Sequence, residues 1–461
     1  MSTFEFSNIP AQVDPVKTKF RCIQTQIPVP ESLPILDSLY RNEPRSMHGQ
    51  MPIVWDRAKD FQVFDAWGNC WIDFTSTIFV ANAGHANDAI IKAIQNTLGQ
   101  GLLQTYTYAS KVRADFVEYL IAHTPDEFEK AYLVSAGTEA AETVIKLMRL
   151  YGQHKAKRRS GIIVFDGSFH GRTMGAAQIS GAQATRQWMG FEDPNIFRLP
   201  FPYPWDDDEN IVTQNGHERF ESDLKRLQAQ GVDLAQDVSG IVFESYIGWA
   251  AAFFPKDYVQ AWSKYAAEHD FLVAFDEIQS GFGRTGRLFA YQHYELTPDL
   301  ICCGKGISSS LPLAAVLGRC GVMDLPDVGS MSSTHSANPT SCAAGLANFQ
   351  EIQRLDLVEQ ARQKGEQLHQ FLNALKNEFP DHISHVLGKG LLAAILFKGE
   401  NGSMLASHIC ENALHKGLLL VHTGRESIKI GPPLTIPIQA MLEGLAVLKQ
   451  VIAQTIKGTS P

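Results

Sequence analysis

From about residue 88 onward, short apolar runs alternate with stretches of helical spacing. "AIIKAIQNTLGQGL" is amphipathic. "KAYLVSAGTEAAETVIKLMRLYGQ" reads as a short strand, a Gly-Thr turn and a helix with Val144, Leu147, Met148 and Tyr151 on one face. "GIIVFDGSFHGR", "GIVFESYIGW", "FLVAFDEIQSGFGRTG" and "LICCGKG" follow, each a β-branched or aromatic run that stops abruptly in polar residues and glycine. Continuous apolar strands separated by helices predict an α/β fold with a mostly parallel sheet covered on both faces. Ligands of such sheets sit beyond the carboxyl ends of the strands. Those ends hold Ser135, Asp166, Glu244, Asp276 and Lys305.

The flanks follow other rules. Residues 1–80 read as a loose arm, with "IPVPESLP" as proline-rich connection. A small β unit follows, in which "FQVFDAWGNCWIDF" forms two alternating runs around a turn at Asp65–Gly68. Residues 81–345 form the large unit. Residues 346–461 return to helices and short strands, including the core-strand-sized "LLAAILF" and "SIKIGPPLTI", and close on an amphipathic helix. The N- and C-terminal segments together are expected to make a small α+β domain beside the large one.

Composition narrows the function. At 461 residues the chain exceeds what one simple core supports. A net charge of −9 argues against non-specific nucleic-acid binding, and no apolar run reaches membrane-spanning length. The N-terminus lacks a basic-then-apolar leader, so the expected location is the cytoplasm. Seven scattered cysteines, two of them adjacent in the apolar run at Cys302-Cys303, suit a reducing compartment. None has the paired spacing of a zinc site, so no metal is expected.

Lys305 is the odd residue. It follows the buried-strand pattern Leu300–Cys303 and precedes another apolar stretch. It is either the solvated start of a loop or an amine desolvated so that its pKa falls and it can attack a carbonyl. Two cofactor readings bear on this. "GFGRTG" (281–286) fits the dinucleotide fingerprint by letters, but it neither directly follows its strand nor opens a long helix, which leaves a nicotinamide-dependent dehydrogenase a remote alternative. Pyridoxal phosphate asks for four features, and each has a candidate. Lys305 would hold the aldehyde as a Schiff base, and Asp276 would keep the pyridine nitrogen protonated. Gly137 and Thr138, at a helix start, would offer N–H groups to the phosphate, and Phe169 would lie against the ring. Each residue also has a plain structural explanation; their joint placement at successive strand ends does not.

"FDEIQSGFGRTGRLFAYQHYELTPDLICCGKGISSSLPLAAVLG" closely resembles the signature segment of class III (ornithine/4-aminobutyrate-type) aminotransferases, which are fold-type-I pyridoxal phosphate enzymes. The resemblance runs from about Phe61 to Leu448 through "GTEAAE", "SFHGRTMGA", "STHSANPTSCAA" and "IGPPLTI". It implies that Lys305 carries the cofactor, that Asp276 pairs with the ring nitrogen, and that Ile278 backs the ring opposite Phe169. Gln279 would contact the ring hydroxyl, and Gly137 and Thr138 the phosphate. Thr334 matches a threonine contributed to that phosphate by the partner subunit, which implies a homodimer. Glu244 matches an acidic motif position whose role the resemblance leaves open. Arg172 matches the residue that holds the substrate carboxylate in 4-aminobutyrate-type members; a structural salt bridge is its other reading.

The departures concern substrate. Ornithine-type members pair a glutamate with an arginine that binds an α-carboxylate; here those positions are Trp249 and Lys429. Lysine cannot make the arginine fork, and tryptophan cannot make the ion pair. Arg425 either substitutes or is solvated. Ala136 stands where the family often has a hydroxyl. The implied reaction is ping-pong transfer of an amino group from a primary amine or ω-amino acid-like donor to a 2-oxo acid. An amino-acid epimerase or aminomutase would keep every cofactor residue and differ only in the pocket.

Overall fold

The computed structural model describes residues 4–181, 183–205 and 215–459; the outermost residues of the first and last expected segments lie outside them. Five strands come first: β1 (Val16–Lys17), β2 (Cys22–Ile23), β3 (Arg57–Lys59), β4 (Gln62–Phe64) and β5 (Cys70–Asp73). The turn between β4 and β5 is the one read from Asp65–Gly68, and the two strands pair antiparallel.

A seven-stranded sheet occupies the centre: β6 (Lys130–Val134), β7 (Gly161–Phe165), β8 (Ile196–Leu199), β9 (Val238–Glu244), β10 (Leu272–Glu277), β11 (Leu300–Cys303) and β12 (Ala314–Gly318), in the order β6-β12-β11-β10-β9-β7-β8. Only β12 runs against its neighbours; the pairs from β11 to β8 are parallel. Successive residues along each strand point to opposite faces. Ile162, Val164, Val242, Ala274 and Cys302 therefore enter one core with Val144, Leu147, Met148 and Tyr151 of the helix Gly137–His154. Ile163, Phe165, Phe243, Phe275 and Cys303 enter another, with Tyr258, Val259 and Trp262 of the helix Lys256–Glu268. Covering both faces is the reason the strands are apolar throughout rather than alternating.

The C-terminal part adds β13 (Ile383–Lys389), β14 (Leu392–Phe397), β15 (Leu418–Leu419), β16 (Val421–His422) and β17 (Ser427–Ile430). Strands β13-β14-β17-β16 form a third sheet, whereas β15 pairs parallel with β5, so the two chain ends share a sheet. The boundary expected at 345/346 lies inside the helix Pro339–Arg354, which packs on the helices Asp88–Gly99 and Lys111–Ala122.

The GFGRTG segment is a junction rather than a nucleotide loop. It is all turn and is followed only by a short 3₁₀ segment, Ala290–Tyr294. Arg284 is fully buried and donates to the carbonyls of Leu391 and Pro432, to Asn82 Oδ1 (2.7 Å) and to Ser76 Oγ (3.4 Å). One guanidinium thus ties the N-terminal, central and C-terminal segments together. Beside it Ser76, Thr77, Ile78 and Phe79 have φ of 48, 52, 61 and 68°, a left-handed turn built without glycine. Such backbone costs on the order of 1 kcal/mol or more per residue. It is held by Ser76 Oγ donating to the Gly431 carbonyl and by the buried Phe79 ring against Gly431.

Candidate active site

A cavity of about 1910 Å³ opens beyond the carboxyl ends of the central strands. Ser135, Asp166, Glu244, Asp276 and Lys305 all line it, as the sequence pattern predicts. Register explains their convergence: Asp276 on β10 lies opposite Glu244 on β9 and Cys302 on β11, and Lys305 is three residues past Cys302.

Lys305 opens a 3₁₀ turn with φ 42°. Burial pushes its pKa down, more than the Asp276 and Glu244 carboxylates pull it up. Lys305 is half-buried in the cavity lining, not extended into bulk solvent, which favours the desolvated-amine reading over the solvated loop start. Asp276 Oδ1 accepts the backbone N–H of Ile278 (2.9 Å), and Oδ2 lies 2.8 Å from His170 Nδ1. Burial favours the neutral imidazole, but the hydrogen bond and charge of Asp276 outweigh it and raise the His170 pKa. The other ring nitrogen, Nε2, is buried without a partner. Glu244 accepts N–H groups from Phe169 (3.1 Å) and Gly248 (3.3 Å); burial raises its pKa to about 7, against the pull of His170. A Cβ on Gly248 would lie 2.9 Å from Glu244 Oε1, so the close approach requires glycine there.

The helix Gly137–His154 starts at the cavity, where the N–H groups of its first residues have no intrahelical acceptor. Ala136 has no side-chain acceptor, and Glu139 instead reaches back to the N–H groups of Ser135 (2.8 Å) and Ala136 (3.0 Å). Thr138 Oγ1 lies 2.7 Å from Thr173 Oγ1. Ser135 Oγ is buried and unpartnered beside this helix start. A Cβ on Gly137 would come within 2.9 Å of Ile278 Cδ1, so a bare glycine lets the isoleucine pack against the helix start. An anion cradle, an apolar wall at Ile278, a flat Phe169 ring and a desolvated lysine within one cavity fit pyridoxal phosphate. The orphaned Ser135 hydroxyl is the observation that most directly asks for a missing acceptor.

The facing wall comes from the third sheet. Lys429 on β17 is 4% exposed, yet among the described residues its Nζ donates only to Gln279 Oε1 (2.7 Å), and it sits 4.3 Å from the centre of the Phe79 ring. Burial, with Lys305 and Arg284 nearby, lowers its pKa to about 7. Gln279 Oε1 also accepts from Tyr246 OH (3.2 Å), which leaves its amide nitrogen for the cavity. Trp249 Nε1 donates to Tyr203 OH (3.1 Å), and Arg425 stacks 3.8 Å over the indole without an ion pair among the described residues. Arg172 lies 5.6 Å over the Phe169 ring, again with no ion pair among the described residues, so its salt-bridge reading finds no partner. Thr334 is exposed and does not line this cavity; its carbonyl accepts from Gln104 Nε2. His170, Tyr203 and Ile78 also line the cavity and carry no local signal in the sequence. His170 is adjacent to Phe169 in "SFHGR", but nothing local signals that it faces Asp276, 106 residues away.

The family profile described as Aminotransferase class-III matches residues 45–452. The chain is 32% identical over 418 residues to a 2-aminoadipate transaminase of Pseudomonas putida, covering 87% of this chain and 96% of that one. It is 30% identical to an alanine/serine racemase of Pyrococcus horikoshii, over 88% of this chain and 87% of the relative. Among solved structures, an (S)-enantioselective omega-transaminase from Thermomicrobium roseum superposes with a TM-score of 0.82 at 24% identity, covering 92% of this chain and 99% of that one; this likeness speaks to the fold. A match over most of the length means that this chain belongs to the class III aminotransferases, pyridoxal phosphate enzymes that move an amino group from a donor to a 2-oxo acid.

Proposed function

We propose that Lys305 is the nucleophile and proton carrier of a ping-pong transamination whose donor is a primary amine or an ω-amino acid-like compound. The observation that carries this reading is a half-buried lysine, its pKa lowered by desolvation, converging with the buried Asp276 and Glu244 at three adjacent strand ends. Bound pyridoxal phosphate supplies an aldehyde for the amine and a cationic ring that takes up electrons. Lys305 Nζ would take the proton from the donor carbon bearing nitrogen and deliver it to the carbon on the other side of that nitrogen. A neutral amine is required for the first of these events, and burial favours it. Asp276 holds a proton at the ring nitrogen, with His170 fixing the carboxylate's orientation. Gly137, Thr138 and the Ser135 hydroxyl would hold the phosphate, Ile278 and Phe169 would flank the ring, and the Gln279 amide nitrogen would be free to meet the ring hydroxyl.

Arg172 is assigned to a substrate carboxylate, with Glu244, Trp249, Arg425 and Lys429 lining the substrate's space. A stacked Arg425–Trp249 pair and a point charge at Lys429, in place of an arginine fork, support weaker selection for an α-carboxylate than in ornithine-type members. That favours amines, amino sugars or ω-amino acids. Replacing Lys429 with Arg should raise the preference for α-carboxylate substrates roughly tenfold, the worth of about one further charge-assisted hydrogen bond. An unchanged ranking across acceptors of differing carboxylate content counts against the assignment.

A homodimer completes the proposal. Thr334 lies outside its own chain's cavity, and Tyr106 and Tyr108 are exposed aromatics away from that cavity that a second copy would cover. A cytoplasmic location is supported by seven cysteines with no disulfide among the described residues; no described helix is long and apolar enough to cross a membrane. Epimerisation is the second reading, favoured by the racemase relative: the same residues would return the proton to the substrate carbon.

The test is a half-reaction screen of single amines and amino acids without acceptor, following the visible absorbance of the lysine-bound cofactor. Bleaching by one class of donor supports transamination and names the donor. Loss of chirality without bleaching favours epimerisation, and no visible band after added cofactor overturns the role of Lys305.

A further inference from the structure

Two of the seven cysteines face each other. Cys22 on β2 and Cys70 on β5 are direct cross-strand partners in an antiparallel pair. Side chains of such partners share one face of the sheet, and their Cα atoms stand about 4.5–5.5 Å apart. That falls within the roughly 4.4–6.8 Å that a disulfide spans. The two thiols are close enough to influence each other's ionisation. Their settings differ. Cys22 is partly exposed, whereas Cys70 is 6% exposed, accepts from Gln62 Nε2 (3.2 Å) and points toward the Phe20 carbonyl (3.6 Å). Burial pushes the Cys70 thiol up to about 11. One accessible thiol beside one buried thiol is the arrangement of an attacking and a resolving cysteine.

We infer that Cys22 and Cys70 form a reversible redox pair that a small-molecule disulfide, such as oxidised glutathione, closes into an intrachain bond. Cys22, having given its proton to solvent, attacks one sulfur of glutathione disulfide, and the first glutathione thiolate leaves. Cys70 then loses its proton and attacks the Cys22 sulfur of the mixed disulfide, and the second glutathione thiolate leaves. Two protein thiols are oxidised, one glutathione disulfide is reduced to two thiols, and the two protons are taken up by the departing thiolates. Cys70, a poor leaving group because of its high pKa, slows the reverse step. The bond would fasten the N-terminal arm to β5, the strand that continues through Asp73 into the left-handed turn Ser76–Phe79 and so to Ile78 in the cavity wall.

The experiment incubates the holoenzyme with excess oxidised glutathione, unfolds it in iodoacetamide and maps the peptides without reduction. The expected result is a loss of two alkylatable thiols of the seven, with the Cys22 and Cys70 peptides linked, the link being reversed by dithiothreitol. In C70S, glutathione should remain trapped on Cys22, and in C22S Cys70 should stay a free thiol. Glutathione retained on Cys22 in the unsubstituted protein, or both thiols alkylated, overturns the proposal. Because the deciding result is read on the unsubstituted chain, a variant that folds poorly does not blunt it.

Discussion

The floor and the facing wall of the cavity are built on different principles. On the floor, strand register places Asp276, Glu244 and the start of the Lys305 turn side by side, and each carboxylate takes a backbone N–H at a set distance. On the wall, Lys429 has one side-chain hydrogen bond, and Arg425 and Trp249 hold each other by stacking. Changing a floor residue disturbs a network fixed by the backbone, whereas on the wall Trp249 lies in a turn, Arg425 in a bend, and Lys429 is held by a single side-chain hydrogen bond among the described residues. Under the proposed function, the floor would carry the chemistry every substrate needs and the wall the choice among substrates.

The sharpest way to break this contrast is at Lys305. Lys305→Ala should lower transamination by at least about 10²–10⁴-fold, the usual worth of a positioned proton carrier, and abolish the visible band of the lysine-bound cofactor. Substantial turnover with that band lost would move the chemistry elsewhere. Next in size is His170→Phe. It removes a hydrogen bond to a charged carboxylate, worth about 1.5–3 kcal/mol, so kcat should fall roughly 10- to 100-fold. Because His170 acts through Asp276, the pH dependence of the visible spectrum should also shift, whereas a merely structural loss would leave it unchanged. A His170→Asn variant, still able to donate, should recover part of the rate.

Much of the floor was legible in the sequence because it obeys local rules. Apolar runs ending in polar residues place Glu244, Asp276 and Lys305 at one sheet edge, and a Gly-Thr turn before a helical repeat places Gly137 and Thr138. What escaped depends on side chains meeting from far apart. The His170–Asp276 contact spans 106 residues, and the antiparallel β12 hides in a stretch that reads only as apolar. The left-handed turn at Ser76–Phe79 has no glycine to announce it, since Gly431 and Ser76 Oγ, not local preference, hold it. On the wall, the identities of Trp249 and Lys429 were plain, but not that Lys429 would turn to Gln279.

A smaller effect separates the two regions by pH. The Glu244 pKa in the fold is about 7, against an ordinary 4.5. Between those values the folded chain holds a proton that the unfolded chain has released, so stability is full below about pH 4.5 and is lost as pH rises toward 7. The raised His170 pKa acts in the same direction above its ordinary 6.5. The thermal midpoint of the cofactor-free protein should thus fall between pH 5 and 7.5, by roughly 1 °C per kcal/mol lost for a chain of this length. Glu244→Gln should flatten much of that slope. An unaltered slope would mean that Glu244 is ionised in the fold throughout.

The smallest change tests the wall alone. Arg425 lies over the Trp249 indole at 3.8 Å, and Trp249 in turn donates to Tyr203. A stacked cation at a partly exposed site is worth about 0.5–1 kcal/mol. Arg425→Ala should therefore cost the protein little stability and leave kcat for a small uncharged amine within about twofold, because no floor contact is touched. If Arg425 also meets acidic substrates at the cavity mouth, KM for a dicarboxylate acceptor should rise several-fold while KM for pyruvate, which carries a single carboxylate, moves less. Equal changes for both acceptors would assign Arg425 to holding Trp249 in place. A fall in kcat for every donor would mean that wall and floor are coupled, and that the division of labour between them fails at this residue.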